Sequence, residues 1–394
     1  MQLYYFLVEY YLNNYKKKPF IPAIQKTSTL VILSLQALLL FTATMHSKII
    51  EKSSSFDQKV EAAELMMKSM QLLKNDRMEK GVFVDIENDP NETGLVGSPF
   101  SLITTDEGDL DSKLTTLDPN FAAVMVDLMN SLNIKARDTV AVLMTGSMPG
   151  ANLAVLSACK AMEITPIIIS SLGASQWGAN QVDFTWLDME SILVKNNLYP
   201  FRSIAASIGG RNDMGRLLSP SGRKIITDNI AFHNIPLIKN ERLADNISTR
   251  MSVFSSFLSL NKYKAIINVG GGVASLGTSF NSKLLPPGIV NRLDLININR
   301  PGGIEGVFSK FINLGTPGLH ILNIRPLTEQ FKIPFAPIPV PKIGIGSLYA
   351  IERYSLSVAA LCLIIISGSV VIVGIKSKKN IKKQLTQHEP DSLL

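Results

Sequence analysis

"TVAVLMTGSMPGANLAVLSACKAMEITPIIISSLG", residues 139–173, decides the architecture. "TVAVLMTG" is an apolar run ending in Gly146, "ANLAVLSACKAME" has the length of a helix, and "TPIIISSLG" is a second apolar run. Two buried strands joined through one helix make a βαβ unit, whose strands lie parallel and have both faces covered.

The alternation continues on either side. Asp118 and Pro119 read as an N-cap with proline at the first helical position, opening a helix through "NFAAVMVDLMNSLN". Downstream come a helix near 185–195, the strand "RSIAASIGG", a helix after Ser219 and Pro220, and a long helix near 240–259. The strand "KAIINVGGG", a helix near 305–313 and the strand "GLHILNI" complete the series. The pattern predicts an α/β fold over residues 118–330, with a Rossmann-like, mainly parallel sheet flanked by helices.

Two further segments are apolar enough for a bilayer. "TSTLVILSLQALLLFTATM", residues 27–45, and "SLSVAALCLIIISGSVVIVGI", residues 355–375, contain no charged residue. At a rise of about 1.5 Å per residue each matches a hydrocarbon core of about 30 Å. Residues 27–49 and 354–375 are therefore read as transmembrane helices. A cleaved signal peptide is the competing reading of the first, but its apolar run exceeds an ordinary h-region and no small-x-small site follows in "FTATMHSKII". Residues 1–29 carry net +3, residues 376–394 again +3, and the middle only +1. Basic flanks stay cytoplasmic, so the tails, residues 1–26 and 376–394, are expected inside the inner membrane and the main domain outside the cytoplasm. The near-neutral middle argues against a nucleic acid partner.

Residues 50–117 begin with an amphipathic helix, "FDQKVEAAELMMKSMQLLKNDRMEK", whose stripe is Val60, Ala63, Met67, Met70 and Leu73. An irregular connection follows from residue 81 to 117. Residues 331–353 hold Pro334, Pro337, Pro339 and Pro341 and read as a semi-rigid tether to the second span. The two cysteines, Cys159 and Cys362, give no disulfide framework and no metal-ligand spacing, and no resident cofactor is implied.

Chemistry is expected where strands enter helices at the carboxyl edge of the sheet. Three loops qualify. "TGSMPGAN", residues 145–152, offers backbone N–H groups with Ser147 and Asn152. Ser147 lacks a complete nucleophile elbow, since Thr145 and Pro149 replace the two glycines such an elbow needs; His233 or His320 is its candidate base. "NVGGGVASLGTS", residues 268–279, carries Gly270, Gly271, Gly272, Ser275 and Thr278, but it meets only two of the three positions of a dinucleotide fingerprint. "SSLGASQWGAN", residues 170–180, sets Ser171, Ser175, Gln176 and Asn180 around Trp177, a set suited to a polar ligand or a protein surface. The second tryptophan, Trp186, reads as packing a helix onto the sheet. Arg202, Arg211, Arg216 and Arg300 are candidate anion contacts.

"ISSLGASQWGANQVDFTWLDMESIL", with "TGSMPGANLAVLSA", "DPNFAAVMVDL", "RSIAASIGGRNDMG" and "AIINVGGGVASLGTS", resembles the poly-gamma-glutamate system protein family, in order over roughly residues 55–335. The resemblance implies a membrane-associated accessory component in the synthesis or export of an anionic, amide-linked polymer of the bacterial capsule or envelope. Its implied partners are the poly-gamma-glutamate synthase and export membrane proteins and the polymer itself. It carries over no catalytic residue. A hydrolase or amide-transferring enzyme with Ser147 as nucleophile, and a small-ligand-binding ectodomain, are the alternatives.

Overall fold

The structure, a computed structural model, describes residues 20–296 and 303–387. Lys16, Lys17, Lys18 and Arg300, and the tail beyond Gln387, lie outside the described residues. The chain divides into two units, one of residues 1–51 and 352–394, the other of residues 52–351.

In the first unit, α1 (Thr27–His46) and α13 (Leu356–Gln387) are long and apolar enough to cross a membrane, and their apolar stretches bury no side chain. They lie against each other, with Gln36 Nε2 donating to Ser369 Oγ at 2.8 Å. Polar pairs of this kind join helices where apolar surroundings offer no other partner. β1 (Lys48–Lys52) and β11 (Ala350–Tyr354) form a two-stranded sheet.

The second unit is built on a seven-stranded sheet. Its strands are β2 (Thr139–Thr145), β3 (Thr165–Ser171), β6 (Ser203–Ser207), β7 (Leu237–Ile238), β8 (Ile266–Val269), β9 (Gly288–Val290) and β10 (Gly318–Ile321). β4 (Asn180–Gln181) and β5 (Phe184–Thr185) make a small separate ladder. The spatial order is β7-β6-β3-β2-β8-β10-β9, parallel except for the edge strand β9, which runs antiparallel to β10. The mainly parallel α/β sheet expected from the sequence is therefore present. β9 is not legible in the sequence, because three residues give no readable period.

Successive strand residues alternate between two cores, as pleating requires. Val140, Val142 and Met144 face one cluster, and Ala141 and Leu143 the other. The first face is covered by α2 (Phe56–Glu79), α4 (Asn120–Ser131) and α5 (Pro149–Ala161), the second by α8 (Leu243–Phe257) and α11 (Val307–Asn313). The remaining helices are α3 (Leu110–Thr116), α6 (Trp186–Lys195), α7 (Pro220–Phe232), the short α9 (Val273–Leu276) and α10 (Asn281–Leu284), and α12 (Ile324–Phe331). Helix starts follow local chemistry: Ser219 Oγ accepts from Gly222 N–H at 3.0 Å, and Asp118 Oδ1 from Asn120 N–H at 2.9 Å.

Several boundaries differ from the sequence reading. The first apolar helix ends at His46, with β1 starting inside the expected 27–49 span, and the second runs on to Gln387. α3 interrupts the expected irregular connection. α2 is an integral layer of the α/β unit: Ala62, Ala63, Met66, Met70 and Leu73 are buried, whereas Met67 is exposed, so the helix is rotated slightly from the expected stripe. The proline-rich segment lies along the unit rather than standing free as a spacer. Asn91 and Asn120 donate to the carbonyls of Pro337 and Pro341, Phe335 and Ile343 pack on the core, and Tyr349 is buried with its hydroxyl donating to Asn120. Proline removes donors but leaves carbonyls, and these side-chain amides satisfy them.

Candidate functional site

The chain leaves β2 toward β3 on one side and returns later to β8 on the other, which creates a switch point beyond Thr145. A cleft of about 450 Å³ opens there. Thr145, Ser147 and Met148 line it from the loop after β2, Ser171, Gly173 and Ser175 from the loop after β3, and Gly271 and Gly272 from the loop after β8. Gly210, Arg211 and Leu217 enter after β6. The three loops singled out in the sequence do converge. A fourth wall comes from residues 105–113, which read only as an irregular connection and contribute Asp106, Glu107, Asp109 and Lys113.

Lys113 is 5% exposed. Its Nζ donates to Ser175 Oγ at 3.0 Å and to the carbonyl of Ser147, and lies 3.2 Å from Met148 Sδ. Burial pulls its ammonium down to about 8, opposed in part by the charge of Asp109. Ser147 Oγ accepts the backbone N–H of Ser175 at 2.9 Å, so one serine fixes the backbone of the other. A side chain on Gly108 would come within 3.2 Å of Ser175 Oγ and clash with the Gln176 carbonyl, so glycine there allows the close approach of the two loops. Sequence periodicity gives no sign of Lys113, because its partners lie far away along the chain.

Beside this cluster, Arg250 and Asp213 form a buried ion pair at 2.7 Å. Arg250 Nη2 also donates to Ser207 Oγ at 2.6 Å, and Ser207 Oγ donates to Asp213 Oδ1 at 2.7 Å. Ser171 Oγ lies 3.0 Å from Ser207 Oγ. Asn212 and Asp213 sit at φ of 57° and 60°, between glycines that are also left-handed, so the pair anchors a tight loop carrying Arg211.

Other expected site residues have structural roles. Asn152 is buried and donates to the Thr145 carbonyl at 2.9 Å. Asn180 exchanges hydrogen bonds with the backbone of Ser98, and Gln176 Oε1 accepts from Gly108 N–H; both fasten the 98–108 connection to the sheet edge. Gly270 has φ of 90°, and a Cβ there would collide with Thr145 Oγ1. Ser275 and Thr278 do not line the cleft; Thr278 Oγ1 accepts from Asn281 N–H. Trp177, at φ of 63°, packs its ring on the hydrophobic core and not into the cleft. Trp186 is wholly buried at the first position of α6, as expected.

The pairing of Ser147 with a histidine base is corrected. His233 donates to Asp188 at 2.7 Å, at the end of α7. His320 is sealed in β10, its Nδ1 accepting from Asn268 Nδ2 at 3.0 Å, and burial pulls it down to about 4. Neither is hydrogen-bonded to Ser147, whose hydroxyl is held as an acceptor.

Next to the cleft, across the same 209–218 loop, a groove of about 550 Å³ is lined by Arg216, Arg223, Lys224 and Lys239 with Met214, Pro220 and Thr227. Lys224 shares its charge with Asp228 at 2.8 Å, in an exposed pair that water screens. Arg223 is half-buried, donating to the Leu218 carbonyl at 2.6 Å. Arg202 lies apart from both features, donating to the His233 carbonyl.

These features define a helix-flanked α/β unit of Rossmann-like order with a polar cleft at its switch point, in a chain that also has two helices able to span a membrane. No family model, characterised protein or solved structure matches the chain.

Proposed function

We propose that the protein is a membrane-anchored accessory component of bacterial poly-gamma-glutamate synthesis or export. Its two apolar helices serve as inner-membrane spans that meet the synthase and export proteins, with both termini cytoplasmic and the α/β unit extracytoplasmic. The polymer lies in the groove of Arg216, Arg223, Lys224 and Lys239. That groove is the observation that carries the reading, because Arg216, Arg223, Lys224 and Lys239, offset by Asp228 beside Lys224, make a basic strip on a nearly neutral unit and favour a chain of regularly spaced carboxylates. The sequence resemblance supplies the identity of the polymer, and the lysine-rich flanks supply the orientation.

The test is binding of fluorescent gamma-glutamyl oligomers to the full chain in detergent micelles. Affinity is expected to fall with added salt and to drop at least about tenfold when Arg216, Lys224 and Lys239 are all changed to Glu. Equal binding by the triple variant overturns the assignment. Orientation is checked by placing a cysteine at exposed Ser256 and treating intact cells with a membrane-impermeant maleimide. Labelling is expected without permeabilisation, and labelling only after it would reverse the topology.

A further inference from the structure

The geometry points to a second activity in the cleft: Ser175 is an acyl-transfer nucleophile and Lys113 its general base, acting on an amide or ester carbonyl. The inference rests on the cleft alone and stands apart from the polymer reading.

Three observations support it. Lys113 Nζ lies 3.0 Å from Ser175 Oγ, within reach for direct proton transfer. Among the described residues the lysine meets no carboxylate at ion-pair distance: the charged groups around the cleft are Asp109 on its own segment, Asp106, Glu107 and Arg211, while Asp213 is taken up by Arg250. Burial displaces such a lysine toward its neutral form and, against the opposing charge of Asp109, brings this one to about 8. Finally, Ser147 Oγ holds the backbone N–H of Ser175 at 2.9 Å, and Gly271 and Gly272 line the same cleft without a side chain to crowd an acyl group.

In the reaction, neutral Lys113 takes the hydroxyl proton as Ser175 Oγ bonds to the carbonyl carbon. The carbon–nitrogen or carbon–oxygen bond then breaks, and Lys113 returns the proton to the leaving amine or alcohol. Water, or an incoming amine, attacks the acyl-serine ester, gives its proton to Lys113, and releases the acid or a new amide while Ser175 recovers its hydrogen. No oxidant or metal enters the balance. The cavity, about 450 Å³, has room for a small acyl substrate. Its acidic wall of Asp106, Glu107 and Asp109 suits a product amine, and Arg211 suits a carboxylate on the acyl half.

A fluorophosphonate probe tests this directly, since Ser175 Oγ would displace its fluoride and become covalently labelled. The full chain in micelles is expected to label at Ser175, identified by peptide mass, with a rate that rises through about pH 8. Lys113→Arg keeps the charge and the clasp on Ser147 but cannot deprotonate, so it is expected to lose at least about 100-fold in rate while its melting temperature stays near the parent's. Labelling at another residue, no labelling, a rate flat across pH 6–10, or full activity in Lys113→Arg each overturns the dyad. The pH profile uses the unaltered chain and decides the question even if the variant fails to fold. Oligomer binding by an unlabelled protein would sink this inference and leave the polymer reading intact; labelling without binding would do the reverse.

Discussion

Arg250 and Lys113 are both buried cations beside the carboxyl edge of the sheet, at 1% and 5% exposure, yet they are held in opposite ways. Arg250 is clamped by the carboxylate of Asp213 at 2.7 Å and braced by Ser207. Lys113 has a hydroxyl, a carbonyl and a thioether, but no carboxylate at that distance. A guanidinium with a buried counter-ion is fixed and inert, whereas a buried ammonium whose direct hydrogen-bond partners are all neutral keeps its proton loosely. The first arrangement shapes a loop; the second can do proton chemistry.

The largest effect should come from breaking the clamp. Asp213→Ala leaves a buried guanidinium without its partner and is expected to lower unfolding free energy by about 3–5 kcal/mol, read by chemical denaturation of the full chain in micelles. A loss below about 1 kcal/mol would mean that Arg250 is not confined as described.

Lys113 is expected to reveal itself through pH instead. Its proton is bound more weakly in the folded state, near pH 8, than in the unfolded chain, near 10.5. Between those values the unfolded chain holds more protons, so stability rises with pH by about 1.4 kcal/mol per unit. Lys113→Met should remove that rise. Buried Cys159 and Tyr199, whose pKa values burial raises, contribute the opposite slope, and subtracting the variant's curve from the parent's cancels them. Parallel curves between pH 8 and 10 would show that Lys113 is already compensated.

The smallest effect sharpens the cluster. Ser147→Ala removes the acceptor of the Ser175 N–H and should cost about 1 kcal/mol while slowing probe labelling. Unchanged stability together with unchanged labelling would deny Ser147 its positioning role.

Much of this fold can be read along the chain. The strands around 139–145 and 165–171, and the helix between them, appear where apolar runs and periodicity place them. The convergence of three strand-end loops also follows from parallel topology once the strands are known. The individual residues do not follow. Trp177 has the surroundings of a ligand platform, glycines and neutral polar groups, but its left-handed backbone turns the ring onto the core. Asn152, Asn180 and Gln176 carry polar groups that fasten backbone instead of facing the cleft, since a loop crossing a sheet edge must satisfy its own donors and acceptors. Ser147 stands out in the sequence, yet its hydroxyl orients the neighbouring loop and meets no histidine.

By itself, the sequence determined the layers, the parallel sheet and the two membrane-length helices, because these depend on local periodicity and on hydropathy summed over a segment. Only the tertiary structure decided which polar groups meet. Lys113 and Ser175 are 62 positions apart, and Asp213 and Arg250 37 apart. No local period links such positions, and their charge state is set by the amount of water and the counter-ions that remain once the loops have closed over them.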